Sequence, residues 1–364
     1  MEPASIAKGT CYALFAFEVG LSIDLEACER LIPAMGRQTL RHTRRAPQYF
    51  QYRPAPLRMS QDTDPVTIGR FVTHPQVEIV LYDFGALLVA FALPIQGPLD
   101  QLVPLSCDLV GHAELQRLAR QHATALVAAA RSAVVRPDVA DTVEDYVVYH
   151  VESLAGSTPA PALLQTHGQV LAQILRSERQ VLSGQEMADA LAATLSFGEQ
   201  DVTIVDWNAA LVFDPDGDEI RAVFEFANVQ LLEMRFLDEQ LDDALEHAYQ
   251  VLAARSWRRG WLTRAFGADL EHLSTLQADG AVLFERVTNA LKLIGDMYLS
   301  RLYRMVSQRF RLSEWDSGIT RKLQTIDGIY QKLSDRASAR RLEALEWIVI
   351  LLIALEIVLP FLGH

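Results

Sequence analysis

The chain has 364 residues, of which 50% are apolar and 22% charged, and it carries a formal net charge of −13. This balance excludes a disordered chain and leaves room for a substantial core shared among two or three units. A net negative charge of this size disfavours general attraction to nucleic acid or anionic lipid, local basic patches excepted.

From the N-terminus, residues 11–19 (CYALFAFEV), bounded by Gly9 and Gly20, predict a strand. No secretory leader is expected, because residues 12–17 are too few, lack a basic flank and run into Glu18. A helix over 24–32 follows, with Ser22 as a cap and Pro33 and Gly36 as stops. Residues 37–58 (RQTLRHTRRAPQYFQYRPAPLR) read as a long loop or extended arm. Runs 77–84 and 86–93 predict a hairpin around Gly85, helical spacing covers 113–134, and 143–154 alternates like a strand. The order β-α-β-β-α-β is the split ferredoxin-like pattern, expected over residues 1–155.

Past the punctuation at 156–161, region 160–254 is expected to hold helices over 162–182 and 185–195. It then predicts a β-hairpin from 202–205 and 209–213, and one long helix over 219–254. Region 255–342 predicts a further helix over 281–306. Next comes a coiled-coil-like stretch in which Leu312, Trp315, Ile319, Leu323, Ile326, Tyr330, Leu333 and Ala337 recur at threes and fours. Gly318 and Gly328 weaken a continuous rod there. The expected fold class is α+β: a ferredoxin-like N-terminal domain, then a mainly helical region ending in a hydrophobic helix over 343–364.

That last stretch is the most informative. Residues 345–362 (LEWIVILLIALEIVLPFL) hold only Glu346, at the edge, and Glu356, past the middle, as charges. As a helix they extend about 27 Å, against a hydrocarbon core of about 30 Å. Each Leu, Ile, Val or Phe contributes roughly −0.3 to −0.6 kcal/mol to insertion, against about +2.5 to +3.5 kcal/mol for one central acid. Two environments therefore satisfy the segment: lipid, or the interior of a helical assembly. Trp347, Glu356 and Pro360 are the candidate anchor or oligomer contacts. Arg336, Arg340 and Arg341 form a positive flank that predicts a cytoplasmic N-terminal side. A lone Glu356 in lipid is costly, so it is expected to face a neighbouring helix.

Two patches combine arginine with aromatic residues. Arg44 and Arg45 lie near Tyr49, Phe50 and Tyr52, and Trp257, Arg258, Arg259, Trp261 and Arg264 share the run SWRRGWLTRAF. Such residues suit an anionic surface, either RNA phosphates and bases or lipid headgroups. The alternative is a loop whose arginines pair with this acidic protein's own carboxylates.

Catalytic signatures are absent: there is no P-loop, GxGxxG, GxSxG or HExxH. Cys11, Cys28 and Cys107 have no CxxC spacing and no His partner at ligand intervals, which fits a reducing compartment. Asp201, Asp206, Asp214, Asp216 and Asp218 read as a hairpin with solvated ends, with a hydrolase around Asp206 and Asp214 as the weaker reading. No enzyme activity, metal, cofactor or small-molecule substrate is expected.

The tail LEALEWIVILLIALEIVLPFL resembles the signature of the required-for-meiotic-nuclear-division family, a domain of unknown function. FEVGLSIDLEACERL (17–31), VEIVLYDFGALLVAFAL (77–93) and FANVQLLEMRFLDEQLD (226–242) are similar to that family's opening strand and helix, glycine-centred hairpin and long helix. Residues 37–58 and 201–214 depart from its pattern. The resemblance implies a membrane-attached, non-enzymatic homo-oligomer, and mitochondrial relatives support translation at the inner membrane. It carries no catalytic residues over. The resulting expectation is a membrane-anchored oligomeric scaffold, single-pass at its C-terminus with its bulk cytoplasmic, organising a machinery such as translating ribosomes. A peripheral or RNA-associated factor is the alternative.

Overall fold

The structure, a computed structural model, describes residues 4–31, 55–156, 159–253 and 297–362. Strand β1 (Ser5–Glu18) leads into β2 (Ser22–Ile23) and helix α1 (Leu25–Leu31). Strands β3 (Leu57–Asp62), β4 (Thr67–Ile68), β5 (Phe71–Val72), β6 (Gln76–Leu81) and β7 (Ala86–Pro98) follow. Helices α2 (Leu102–Leu109) and α3 (Ala113–Ala129) precede β8 (Val134–Val135) and β9 (Val143–Ala155). Short helices α4 (Leu163–Thr166), α5 (Gly168–Arg176) and α6 (Gly184–Ala190) lead to β10 (Thr194–Leu195), β11 (Val202–Val205) and β12 (Ala209–Phe213). Then come α7 (Asp218–Ala253), α8 (Met297–Arg309) and α9 (Leu312–Leu362).

The protein is thus α+β. One mixed sheet has the order β10-β11-β12-β9-β1-β7-β6-β3, antiparallel at every neighbour except β12 with β9. The chain divides into two compact units, Met1–Phe236 with Glu285–Trp315, and Leu237–Phe284 with Asp316–His364.

In the first unit, β1 is hydrogen-bonded along both edges and buried on both faces, which explains its near-continuous apolar run. Cys11, Ala13, Phe15 and Phe17 join the core that α2, α3 and α5 help to build. Leu14, Ala16 and Glu18 are buried too, on the alternate face. That face carries α7: Tyr82 packs on Phe226 and Tyr146 stacks on Phe224, with centroids 6.3 and 5.8 Å apart. Phe310, between α8 and α9, meets the Tyr146 ring at 5.1 Å.

Two glycine motifs interlock at the end of β1. Gly85 adopts φ 109°, and a Cβ there would stand 1.8 Å from the Gly20 carbonyl oxygen. The Val19 and Ile23 N–H groups donate to Gly85 and Asp83 carbonyls, both at 2.8 Å. FEVG and YDFG therefore form one backbone joint.

The structure departs from the expected pattern in several places. The helix read over 162–182 is broken at His167 (φ −129°, ψ 19°) and ends at Ser177, which is left-handed at φ 52°. The helix read over 185–195 stops at Ala190, and Thr194–Leu195 instead extends the sheet. The arm read over 37–58 ends in a strand, since Leu57 and Arg58 open β3 and pair with β6. Its residues 37–54, Arg44 and Arg45 included, lie outside the described residues. Trp257, Arg258, Arg259, Trp261 and Arg264 do as well.

In the second unit, Leu237, Leu241 and Ala244 of α7 and Ile319, Ile326 and Ile329 of α9 are buried. The Lys322 ammonium lies 2.7 Å from both the Asp238 and the Asp242 carboxylate. Helix α9 continues through Gly318 and Gly328 to Leu362 without interruption. Among the described residues, no helix is long and apolar enough to cross a membrane. The side chains of Arg336, Arg340, Arg341, Glu356 and Pro360 lie outside what is described.

Gly85→Ala is expected to destabilise the protein by more than about 2 kcal/mol, because strain at positive φ adds to a backbone clash. Urea unfolding of the two proteins measures this, and equal midpoints would refute the joint's importance.

Candidate functional site

Helical spacing turns Arg221, Glu225 and Asn228 to the same side of α7, towards the sheet. Edge strand β3 supplies Arg58 and its neighbour β6 supplies Glu78, so two arginines and two glutamates close a ring. Arg58 Nη1 is 2.9 Å from Glu78 Oε1, and its Nη2 pairs with Glu225. Arg221 Nη1 is 2.6 Å from Glu78 Oε2, and its Nε is 3.5 Å from Glu225 Oε1. The Arg221 guanidinium also covers the Tyr12 ring, 4.4 Å from its centroid.

Burial works against ionisation of Glu78, but Arg221 and Arg58 outweigh it and hold its carboxyl below the usual range. Burial likewise opposes the charge on Arg58 and Arg221, and Glu225 and Glu78 overcome it, raising both. The ring is internally neutral, and each charged group is engaged by another.

A second junction forms around Asp206, in the β11–β12 turn and fully buried. Arg176 Nε approaches its Oδ2 at 2.8 Å and Arg309 Nη2 its Oδ1 at 2.7 Å. Asp189 accepts from the same two arginines. The Trp207 N–H donates to Asp206 Oδ1 at 2.8 Å, and the Tyr146 hydroxyl donates to the Asp206 carbonyl at 2.9 Å. Burial raises the Asp206 pKa against the pull of the Trp207 N–H and Arg309.

The other aspartates read from sequence do not join it. Asp201 accepts the Phe197 N–H at 2.8 Å, and Asp214 accepts the Asp216 N–H at 2.8 Å. Asp206 is therefore buried and doubly ion-paired where a solvated turn is expected.

Elsewhere on α7, the Glu233 carboxyl faces Glu18, the last residue of β1, closely enough for the two to act on each other, and Glu18 Oε2 and both Glu233 oxygens have no hydrogen-bond partner. Only 5% of Glu18 and 1% of Glu233 is exposed. Burial pushes Glu18 well above the usual carboxylate range, the facing Glu233 adds to this, and the Gly20 N–H counters it. Burial pushes Glu233 up to about 7. Both residues look unremarkable in sequence. The one signal is an acid at each of two otherwise apolar positions, at the end of a buried strand and inside an apolar helical stripe.

A cleft of about 570 Å³ opens beside the β1 bulge, lined in part by Lys8, Thr10, Arg70, Phe71, Gln96 and Glu152. Its cations are engaged, Lys8 with Glu152 and Arg70 with Gln101. Among the described residues, no cluster of three or more His, Cys, Asp or Glu is placed to hold a metal.

Residues 8–219 match the family model described as "Uncharacterized protein MJ0711, N-terminal domain". The chain belongs to that family. A curated relative, Uncharacterized protein MJ0711 of Methanocaldococcus jannaschii, is 24% identical over 204 residues. The alignment covers 54% of this chain and 61% of the relative, so less than two thirds of that protein is spanned. No solved structure matches. The family is one of unknown function, and the match does not support the meiotic-nuclear-division name that the tail and hairpin suggest. Its span runs from Lys8 in β1 to the first residues of α7. It takes in Glu18, Arg58, Glu78 and Asp206, while Arg221, Glu225, Glu233 and Arg309 lie beyond it.

Glu225→Ala is expected to cost about 1–3 kcal/mol, because it leaves Arg58 and Arg221, two part-buried guanidinium groups, to share the Glu78 carboxylate. Unfolding in urea measures this, and a loss within experimental scatter would show that the ring is dispensable. Glu78, with its folded pKa lowered, contributes stability that is present above its unfolded value of about 4.3 and is lost as pH falls below it. The Glu78→Gln variant should therefore show a flatter stability profile on acidification, and an unchanged slope would argue against this.

Proposed function

We propose that the chain is a non-enzymatic scaffold that self-associates and attaches to a membrane through its C-terminal helix, with its bulk on the cytoplasmic side. The supporting observation is in α9. Trp347, Ile348, Val349, Ile350, Leu352 and Ile353 are each more than half exposed, although near-consecutive helical residues point all round the axis. A helix apolar on every side needs cover from lipid or protein, at roughly 25 cal/mol for each Å² of apolar surface removed from water. The inward use of charge in the first unit agrees with a structural role, since its buried ionic groups are consumed in internal pairing.

Two finer points belong to this reading. The antiparallel neighbours β9-β1-β7-β6 support a ferredoxin-like split layer over residues 1–155. The burial of Ile319 and Ile326, seven positions apart, with the Lys322 clamp between them, supports coiled-coil-like packing of the C-terminal helices. Glu356 would then meet a second copy, and Arg336, Arg340 and Arg341 would flank the cytoplasmic surface. Organisation of translation, or RNA contact through Arg44, Arg45, Arg258 and Arg259, rests on sequence alone.

Ile350→Glu combined with Leu352→Glu tests the reading. Wild-type protein should stay in the membrane pellet after carbonate extraction and run as an oligomer in mild detergent. The double variant should be released and dissociate. Wild-type protein that is both extractable and monomeric would exclude the scaffold. Salt-sensitive RNA binding lost on neutralising the four arginines would favour the alternative.

A further inference from the structure

We propose that Glu18 and Glu233 form a proton-binding site that clamps α7 to the sheet while occupied and loosens it when the proton leaves. The geometry requires a donor. Two ionised carboxylates offer acceptors only, and here Glu18 Oε2 and both Glu233 carboxylate oxygens are buried with no hydrogen-bond donor, so a proton on the pair supplies the donor that the protein does not. The arrangement is built in tightly, since the Cβ that Gly85 lacks would lie 3.1 Å from Glu18 Oε1. Gly85 leaves room for that carboxyl at the joint where FEVG meets YDFG.

The surroundings supply no substitute for the proton. The β6–β7 turn brings Tyr82 and Asp83, and the segment before β9 brings Arg136 and Asp138. Strand β9 brings Glu144, the start of α1 brings Asp24 and Cys28, and α7 itself brings Glu225 and Arg235. Arg235 is held by Glu144 at 2.6 Å, and Glu225 by Arg58 and Arg221. Burial and the facing carboxyl govern the ionisation of the pair. A divalent cation is the other species able to bridge two carboxylates. With no third carboxylate, His or Cys placed to complete a metal cluster among the described residues, the proton is the better fit.

The direction follows from linkage. Glu233 titrates at about 7 when folded and at about 4.3 when unfolded, so its stabilising contribution is full below about pH 4.3. It is lost as pH rises through the folded value. Above that, two like charges face each other under α7, and the contact they share turns repulsive.

Hydrogen exchange of the full chain tests this at residues 230–236, with intrinsic rates corrected. Wild-type protection should fall by about tenfold or more between about pH 5.5 and about pH 8.5. Glu18→Gln and Glu233→Gln should each flatten that response. An infrared C=O stretch of a protonated carboxyl should titrate in the same window in wild-type protein and be absent from Glu233→Gln. PH-independent protection with no protonated-carboxyl band would overturn the proposal. So would protection at high pH restored by magnesium or calcium alone, which would make this a cation site. If neither variant folds, the wild-type infrared titration decides alone.

Discussion

Glu225 lies under α7 with no contact with water, and the guanidinium groups of Arg58 and Arg221 are what make that burial tolerable. An unpaired carboxylate there would carry a desolvation penalty of several kcal/mol. Closing the ring through Glu78 ties three elements together: edge strand β3, its neighbour β6, and the first turns of α7. Apolar contacts, such as Tyr146 on Phe224, supply most of the attraction between helix and sheet. The ring adds register, because each guanidinium bridges two carboxylates on different elements and tolerates little sliding between them.

The same helix carries a carboxyl in the opposite condition. Glu225 meets two cations, while Glu233 meets another acid, Glu18, and burial pushes the Glu233 carboxyl up to about 7. One end of the buried stripe is an ion-pair clamp. In the proposed switch, the other end holds only while a proton is shared. Local stability along α7 would then vary with pH at one place, with the ring unaffected until much lower pH.

Outward chemistry is of another kind. The polar groups with unusual environments in the first unit face inward, towards the sheet and its turns. The exposed residues that stand out are apolar ones near the end of α9. In the proposed scaffold these two features divide the labour: buried ion pairs keep the α/β unit rigid, and the apolar helix makes the external contact. Membership of a family of unknown function neither adds to nor limits that division.

Sequence by itself determined the elements whose pattern is local. The runs that become β11 and β12 are legible because short β-rich stretches flank Trp207 and Asn208, and α7 is legible from its apolar period. Gly85 marks its hairpin for the same reason, since only a turn at positive φ needs it there. The break at His167 is less visible, as no proline interrupts a run with helical spacing. Tertiary structure alone decided the rest. The parallel pairing of β12 with β9 depends on where the chain returns, and local pattern holds no record of that. Arg58 meets Glu225 across 167 positions, and an arginine read as the end of a long loop or arm becomes half of a part-buried ion pair. Whether a carboxyl is charged, shared or paired depends on neighbours that folding brings within a few ångströms. Glu18, Glu233 and Asp206 therefore acquired their character only in the folded chain.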